Sequence, residues 1–253
     1  MAEPAADHAG PAVAGAQAMV APATLYGVGV GPGDPELLTL KARRIIASVP
    51  VVAYPLTASG DSLARRIASA HLPAGIVELP VALPMVVERE PAQAAYDRAA
   101  SAIADHLAAG RDVAFLCEGD PFLYGSFMYL HARLERDFPI IVVPGVPSLM
   151  AAAAAAGRPL ASRNDVMTIL PAPLDAERLS RAIAGSDSVA IVKIGRHFWK
   201  VRSLLVAAGL ADRSVVIARA THPDQEITPL ADIAEGEQPY FSTILVYKGS
   251  APW

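Results

Sequence analysis

Two stretches of the chain share one order of features: an apolar run, a glycine-bearing turn, and an Asp-Pro pair. The apolar runs are residues 24–30 and 113–116, and the pairs begin at Asp34 and Asp120. An aspartate carboxylate accepts hydrogen bonds from the free backbone N–H groups that start a helix, and proline fits the first helical position. Each stretch therefore predicts a strand, a tight turn and a capped helix, which together form the usual ligand edge of an α/β sheet. We expect the second of these helices to run from Phe122 to about residue 134.

The sequence up to residue 143 alternates strand and helix patterns. Leu38, Ala42, Ile45 and Val49 are spaced to share one helix face. Further predicted helices cover 61–71 and 92–109, and further short strands 51–54, 76–79 and 140–143. Residues 80–91 are predicted to be a proline-broken connection, within which 85–90 is expected to form a loop over a cleft. Regular alternation predicts a parallel sheet with helices on both faces.

A proline- and glycine-rich break at residues 144–147 interrupts both periodicities and is the expected domain boundary. Beyond it the sequence predicts helices 148–156, 176–184 and 197–208 and strands 166–170, 189–194, 215–218 and 240–246. The last strand has no clear helix before it, which indicates a mixed sheet. We therefore expect an α/β protein with two αβα domains, residues 24–143 and 144–253, after a disordered Ala/Pro-rich tail, 1–23.

Composition narrows the class of protein. Of the 253 residues, 53% are hydrophobic and 18% charged, which suits a sizeable core, and no run of about 18 apolar residues predicts a membrane span. One cysteine excludes an internal disulfide framework and suits a cytoplasmic location. The net charge of −4 gives no reason to expect a nucleic-acid partner, and the six histidines lack metal-ligand spacing, so we expect no metal site.

The glycines after the first strand invite a test for dinucleotide binding. The fingerprint G-x-G-x-x-G would need glycine at position 32 or 34, where Pro32 and Asp34 stand. No acidic residue ends the second strand to hold a ribose hydroxyl, and G-K-[ST] is absent. Glu118 and Asp120 would also repel an anionic ligand unless they serve as caps. The pattern favours a small cationic cofactor, with a ligand-free turn, a cap role for Asp120 and a solvated Glu118 as the open alternatives.

These motifs together resemble the tetrapyrrole methylases, a family that uses S-adenosylmethionine. The segments that carry the resemblance are 29–34 with 37–39 and Ala42, 119–121 with Tyr124 and Gly125, 144–146 with Ser148, and Ala220 and Thr221 with Gln225. The resemblance extends from about residue 25 to residue 248. It implies a cofactor in the cleft between two α/β domains, a tetrapyrrole substrate and a homodimer.

Within the family, residues 116–125 with 127–130, and 192–197, are most similar to the precorrin-2 C-20 methyltransferases of cobalamin biosynthesis. Glu118 supports this branch because many other relatives carry glycine or serine there. The resemblance implies methylation of the C-20 meso carbon of precorrin-2, giving precorrin-3A. It assigns cofactor contacts to Pro32, Glu118, Gly119, Asp120, Leu123, Pro147, Ser148, Ile194, Ala220 and Thr221. Pro147 departs from the usual serine or threonine, so a hydroxyl contact is lost there.

A substrate with many carboxylates requires local basic groups in an acidic protein. The candidates are Arg163, Lys193, Arg196 and Lys200, each of which could instead be an ordinary solvated charge. Methyl transfer from a sulfonium needs mainly orientation, and the candidates for a catalytic role in proton removal are Glu118 and Tyr124, although water or the macrocycle could serve. A cobalt-loaded substrate and a non-catalytic tetrapyrrole- or cofactor-binding protein remain alternatives.

Overall fold

The computed structural model describes residues 22–57, 59–82, 89–233 and 238–249, without the side chains of 89–91. Within these ranges the chain forms two five-stranded sheets. Residues 1–21 of the expected tail and 83–88 of the proline-broken connection lie outside the described ranges. The strands of the first sheet end at Val143 and those of the second begin at Met167. The boundary at 144–147 stays a prediction.

The first sheet is wholly parallel, with strand order β3-β2-β4-β1-β5. Its strands are β1 (Leu25–Gly29), β2 (Val51–Leu56), β3 (Val77–Ala82), β4 (Val113–Cys117) and β5 (Ile140–Val143). Its helices are α1 (Leu40–Ile46), α2 (Leu63–Ala68), α3 (Arg89–Ala108) and α4 (Phe127–Leu134). Alternate residues of β4 enter opposite cores: Phe115 packs with α3 and α4, and Leu116 with α1 and α2. The predicted parallel sheet with helices on both faces is confirmed.

The second sheet is mixed, as predicted, with strand order β6-β7-β10-β8-β9. Its strands are β6 (Met167–Pro171), β7 (Ser188–Val192), β8 (Ser214–Ala218), β9 (Glu226–Pro229) and β10 (Ser242–Tyr247). Strand β10 runs antiparallel between β7 and β8, whereas β6 and β7 are parallel. Helices α6 (Ala176–Ala184) and α7 (Phe198–Ala207) cover one face, and α5 (Ser148–Ala155) covers the other.

The expected helix from Phe122 is wrong at its start, because α4 begins only at Phe127. The Asp120 carboxylate does accept hydrogen bonds from the backbone N–H groups of Phe122 (2.9 Å) and Leu123 (3.1 Å). The chain then leaves the helical path at Tyr124, whose φ of 55° lies in the left-handed region. The Asp-Pro pair therefore caps an isolated turn that precedes the helix.

The first Asp-Pro pair behaves in the same way. The Asp34 carboxylate accepts from the Glu36 N–H (2.8 Å), and the turn it caps is a short 3-10 helix, Pro35–Leu37. Helix α1 has a separate N-cap, Thr39, whose hydroxyl accepts from the Ala42 N–H (3.1 Å). The apolar spacing was nevertheless informative, since Leu38, Ala42, Ile45 and Val49 all contact the core under α1.

A half-buried ion pair ties α2 to the edge strand β3. Arg65 donates from Nε (2.5 Å) and Nη2 (2.8 Å) to the Glu78 carboxylate, which also accepts from the Tyr54 hydroxyl (2.7 Å). These donors, Arg65 first, lower the pKa of Glu78 from 4.5 to about 2. A bidentate guanidinium with an added hydroxyl is stronger than an isolated surface pair.

We predict that this cluster contributes stability that depends on acid pH. Because the folded-state pKa of Glu78 lies below its unfolded value, the contribution is complete above about pH 4.5 and is lost as pH falls towards 2. Glu78→Gln should lower stability by about 1 kcal/mol at neutral pH, after allowance for partial exposure, or Tm by about 2–4 °C. The Tm difference from wild type, measured by circular dichroism, should shrink between pH 5 and pH 2.5.

The control for this prediction is Glu177→Gln, which removes the exposed Glu177–Arg181 pair on α6. That change should shift Tm by less than about 1 °C. Equal effects of the two substitutions at neutral pH would contradict the role given to Glu78.

Candidate functional site

The site predicted from sequence lies where three neighbouring strands of the first sheet end. Strands β4, β1 and β5 are adjacent and parallel, so their carboxyl ends share one edge. The loops that follow them are 30–34 after β1, 118–126 after β4 and 144–147 after β5. The same edge is the usual ligand edge of an open α/β sheet.

Glycines let the backbones of these three loops touch. The Gly119 N–H donates to the Gly31 carbonyl (2.8 Å), and the Gly31 N–H donates back to Gly119 (3.3 Å). A Cβ added to Gly29 would lie 2.6 Å from the Gly119 carbonyl oxygen, and one added to Gly145 would lie 2.1 Å from it. Side chains at these positions would force the loops apart, so the glycines serve contact between backbones.

Asp120 joins two of the loops. Besides capping its own turn through Oδ1, its carboxylate accepts through Oδ2 from the Gly145 N–H (3.2 Å). Three backbone N–H groups therefore donate to this one carboxylate. The predicted alternative in which Asp120 serves as a cap is confirmed.

Glu118 occupies a different environment from Asp120. Burial raises the pKa of its carboxyl, opposed by the backbone N–H groups of Glu118 and of Ala64 in α2 and by the charge of Arg66. Tyr240, which precedes β10 in the second sheet, interacts with the same carboxyl. The pKa of its hydroxyl is raised mainly by burial and secondly by the charge of Glu118. Glu118 thus lies between α2 and the second domain, with a carboxyl that gains a proton more easily than usual.

Lys193 and Tyr124 meet between the two domains. The Lys193 ammonium lies 5.2 Å from the centre of the Tyr124 ring, within the range of a cation–π contact. Both residues are exposed, and both have left-handed backbone, with φ of 58° and 55°. The structure therefore brings one predicted basic residue against one predicted catalytic candidate.

The other predicted basic residues are placed differently. Arg196 is exposed in the 3-10 turn before α7, and Arg163 is exposed with a φ of 44°. The Lys200 ammonium donates to the Leu174 carbonyl within the second domain. Of the four, Lys193 is the one placed against a first-domain residue by a contact of the described side chains.

The expected cofactor residues of the second domain fall on three loops. Ile194 is fully buried in the core with Phe198 and Val201. Pro147 precedes α5 without a side-chain cap, and Ser148 is exposed. Ala220 is buried with Leu149 and Ile217, and Leu123 packs against that cluster from the first domain.

Thr221 makes a direct bond between the domains. Its hydroxyl accepts from the Asp34 N–H (3.1 Å), while its own N–H donates to the Gln225 side-chain oxygen (2.7 Å). Next to it, His222 Nε2 lies 3.0 Å from the Pro32 carbonyl oxygen. Pro32 itself is buried. Sequence reasoning missed His222, and its position next to Ala220 and Thr221 was the one signal that could have indicated it.

The described part of the chain has neither a membrane-spanning helix nor a cluster of metal-ligating side chains. No helix there combines the length and apolar character needed to cross a bilayer. Among the same residues, no three His, Cys, Asp or Glu side chains converge as ligands for a metal ion.

Comparison with characterised proteins gives relatives along most of the chain. It is 43% identical over 239 residues to the cobalamin biosynthesis protein CobIJ of Mycobacterium tuberculosis. The matched region covers 91% of this chain and 47% of CobIJ. The chain thus spans about half the length of that relative. It is 40% identical to the precorrin-2 C(20)-methyltransferase of a Sinorhizobium species (88% and 94% covered) and 30% identical to the cobalt-precorrin-2 C(20)-methyltransferase of Salmonella typhimurium (88% and 96%).

Solved structures and a family model agree with these relatives. The cobalt precorrin-4 methyltransferase CbiF superposes with a TM-score of 0.69 at 27% identity (88% of this chain, 94% of that one). A uroporphyrin-III C-methyltransferase from Thermus thermophilus, solved with S-adenosylhomocysteine, superposes with a TM-score of 0.63 at 27% identity (88% and 97%). The model of the family described as tetrapyrrole (corrin/porphyrin) methylases matches residues 24–234. The chain belongs to the tetrapyrrole methylase family.

Proposed function

We propose that the chain is an S-adenosylmethionine-dependent C-methyltransferase that acts on precorrin-2 at C-20. One observation carries the proposal: the segments that the family resemblance assigns to the cofactor converge from both domains. Loop 30–34 of the first domain meets loop 219–225 of the second through Thr221 and His222. Leu123 of loop 118–126 packs against the second-domain cluster that includes Ala220. The methyltransferase complex with S-adenosylhomocysteine from Thermus supports the choice of cofactor.

The residues present fit a sulfonium cofactor. The three loop backbones meet at Gly29, Gly119 and Gly145, and they present no basic side chain for a pyrophosphate. Asp120 accepts from backbone N–H groups and Glu118 is partly buried beside it, so the acids at this edge suit a sulfonium cation. When bound, S-adenosylmethionine supplies an electrophilic methyl group.

The protein is proposed to contribute the orientation of the reacting groups and an apolar surface that excludes water. Pro32 and Ala220 are buried, and Leu123 is partly buried against the second domain. Apolar groups here exclude water, which favours a transition state in which charge is dispersed. Holding the reacting carbon in line with the methyl group is worth on the order of 7–11 kcal/mol in well-oriented systems. The backbone groups of Gly119, Ile194 and Thr221 are proposed to orient the cofactor.

The acceptor is proposed from the relatives together with Glu118. The Sinorhizobium relative, which this chain matches over 94% of its length, is named for precorrin-2 and C(20). The Salmonella relative, matched over 96% of its length, is named for the cobalt form of the same substrate. Cobalt-precorrin-2 is therefore the second candidate substrate. Glu118, whose raised pKa makes it a stronger base than an ordinary carboxylate, is proposed to take the proton from the methylated carbon. The homodimer and the cytoplasmic location stay predictions.

The first prediction concerns turnover. Incubation of the protein with S-adenosylmethionine and precorrin-2 should give a product heavier by one methylene group, with S-adenosylhomocysteine released in equal amount. Methyl-labelled cofactor and carbon NMR should place the label at C-20. Faster turnover on the cobalt form would transfer the assignment to the second candidate. Binding of both molecules without any turnover would contradict the enzyme and favour a carrier.

The second prediction concerns Lys193. Lys193→Ala should raise the substrate KM about three- to tenfold, because one hydrogen-bonded charge for a substrate carboxylate is lost at a partly exposed site. The affinity for S-adenosylhomocysteine, measured by calorimetry, should change less than about twofold. Tyr124→Phe should leave KM nearly unchanged, since the ring faces the ammonium.

The control is Lys41→Ala, an exposed lysine on α1. It should leave both constants unchanged. A larger effect of Lys193→Ala on cofactor affinity than on substrate KM would contradict the substrate role of Lys193.

A further inference from the structure

One loop of the second domain closes over the first glycine loop of the first domain. We name it the clasp loop, residues 219–225, and the loop it contacts is 31–34. His222 Nε2 lies 3.0 Å from the Pro32 carbonyl oxygen, a distance at which the ring N–H donates to that carbonyl. The Thr221 hydroxyl accepts from the Asp34 N–H at 3.1 Å. The two bonds bracket Gly33, and each joins residues about 190 positions apart.

Gly33 is required by the clasp loop and not by its own backbone conformation. Gly31 has a φ of 81°, which favours glycine by itself, whereas Gly33 lies outside that left-handed region. A Cβ on Gly33 would nevertheless lie 2.4 Å from His222 Cδ2 and 2.9 Å from the Thr221 hydroxyl. The ring of His222 therefore occupies the space that a side chain at position 33 would need.

The clasp loop has strained backbone that bonds within the second domain hold in place. Arg219 and Thr221 have φ values of 51° and 69°, and such non-glycine residues cost of order 1–3 kcal/mol each. Arg219 is fixed by Asp224 (2.7 Å) and Glu226 (3.0 Å), and Thr221 by Gln225. These bonds lie within the second domain, so they preform the face that His222 and Thr221 present to the first.

We propose that His222 is a positioning residue of the cofactor site. By holding the Pro32 carbonyl, it fixes the distance between the first glycine loop and the clasp loop, and thus between Pro32 and Thr221 at the two sides of the cofactor. The inference rests on the proposed function only in placing S-adenosylmethionine between these loops. It predicts that His222 acts through geometry, so its loss weakens cofactor affinity without removing a reacting group.

The test measures S-adenosylhomocysteine affinity by calorimetry. His222→Ala should weaken binding about three- to tenfold, which corresponds to the loss of one net hydrogen bond. His222→Gln, whose amide can donate from nearly the same place, should recover at least half of the loss in free energy. His71→Ala, a histidine on the first domain outside the described interdomain contacts, is the matched control and should not change affinity.

A double-mutant cycle tests the fit between His222 and Gly33. Gly33→Ala should weaken binding strongly in the wild-type background, because the new Cβ meets the His222 ring. In the His222→Ala background, the factor by which Gly33→Ala weakens affinity should be at least about threefold smaller, because the contact with the ring is gone. Some weakening should persist, because the contact with the Thr221 hydroxyl remains. Circular dichroism checks that each variant is folded.

The kinetic readout separates positioning from chemistry. In turnover with a tetrapyrrole acceptor, His222→Ala should raise the KM for S-adenosylmethionine more than it lowers kcat at saturating cofactor. Unchanged affinity in His222→Ala, no recovery in His222→Gln, or an equal cost of Gly33→Ala in both backgrounds would overturn the proposal. Failure of the wild-type protein to bind S-adenosylhomocysteine would instead overturn the proposed function.

Discussion

The close approach of three loop backbones at Gly29, Gly119 and Gly145 is the constraint on which the rest of the site depends. Because no side chain separates these loops, the Asp120 carboxylate reaches the Gly145 N–H while it caps its own turn. That bond fixes the chain just before α5, the first helix of the second domain. The ends of β4, β1 and β5 are thus coupled to the placement of the second domain, and a Cβ at Gly29 or Gly145 would disturb both. Gly119 is favoured instead by its φ of 65°.

Charge at this edge is distributed in a way that sequence alone does not reveal. Two acids stand close together, but the Asp120 carboxylate accepts from three backbone N–H groups, whereas Glu118 is partly buried and has a raised pKa. The two carboxyls therefore differ in environment, one tied to backbone donors and the other partly removed from water. Under the proposed function the substrate itself carries carboxylates, and Lys193, which lies against Tyr124 of the first domain, is the cation proposed to meet them. The arrangement suits a cationic cofactor and an anionic substrate at once.

The elements that sequence predicts well are those whose signal is local. Apolar runs predicted most strand ends within two residues, and 176–184 was correctly predicted for α6, where Asp175 caps the helix. The exception is β3, which continues to Ala82, three residues into the expected proline-broken connection. The predicted start of α4 was wrong, because the chain leaves the helical path at Tyr124, with a φ of 55°. The turn brings Gly125 close to the Pro121 carbonyl, a contact that leaves no periodic signal in the sequence. Strand β9 was missed because it is an exposed edge strand of four residues. In the site, the cap role of Asp120 was readable, whereas the burial of Ile194 and the bond from Lys200 to Leu174 depend on tertiary packing.

Backbone strain marks the places where the domains meet. Five described residues other than glycine have positive φ, and Tyr124, Lys193, Arg219 and Thr221 all lie on the loops between the two sheets. Left-handed backbone at a residue other than glycine costs of order 1–3 kcal/mol, so the side chains at these positions are expected to make stabilising contacts that glycine could not make. The contacts identify it: Lys193 lies over the Tyr124 ring, Thr221 accepts from Asp34, and Arg219 holds the acids that shape the loop. The strain at this interface is therefore tied to side chains that connect the domains. Under the proposed function, these are the loops that would hold the cofactor in a fixed geometry.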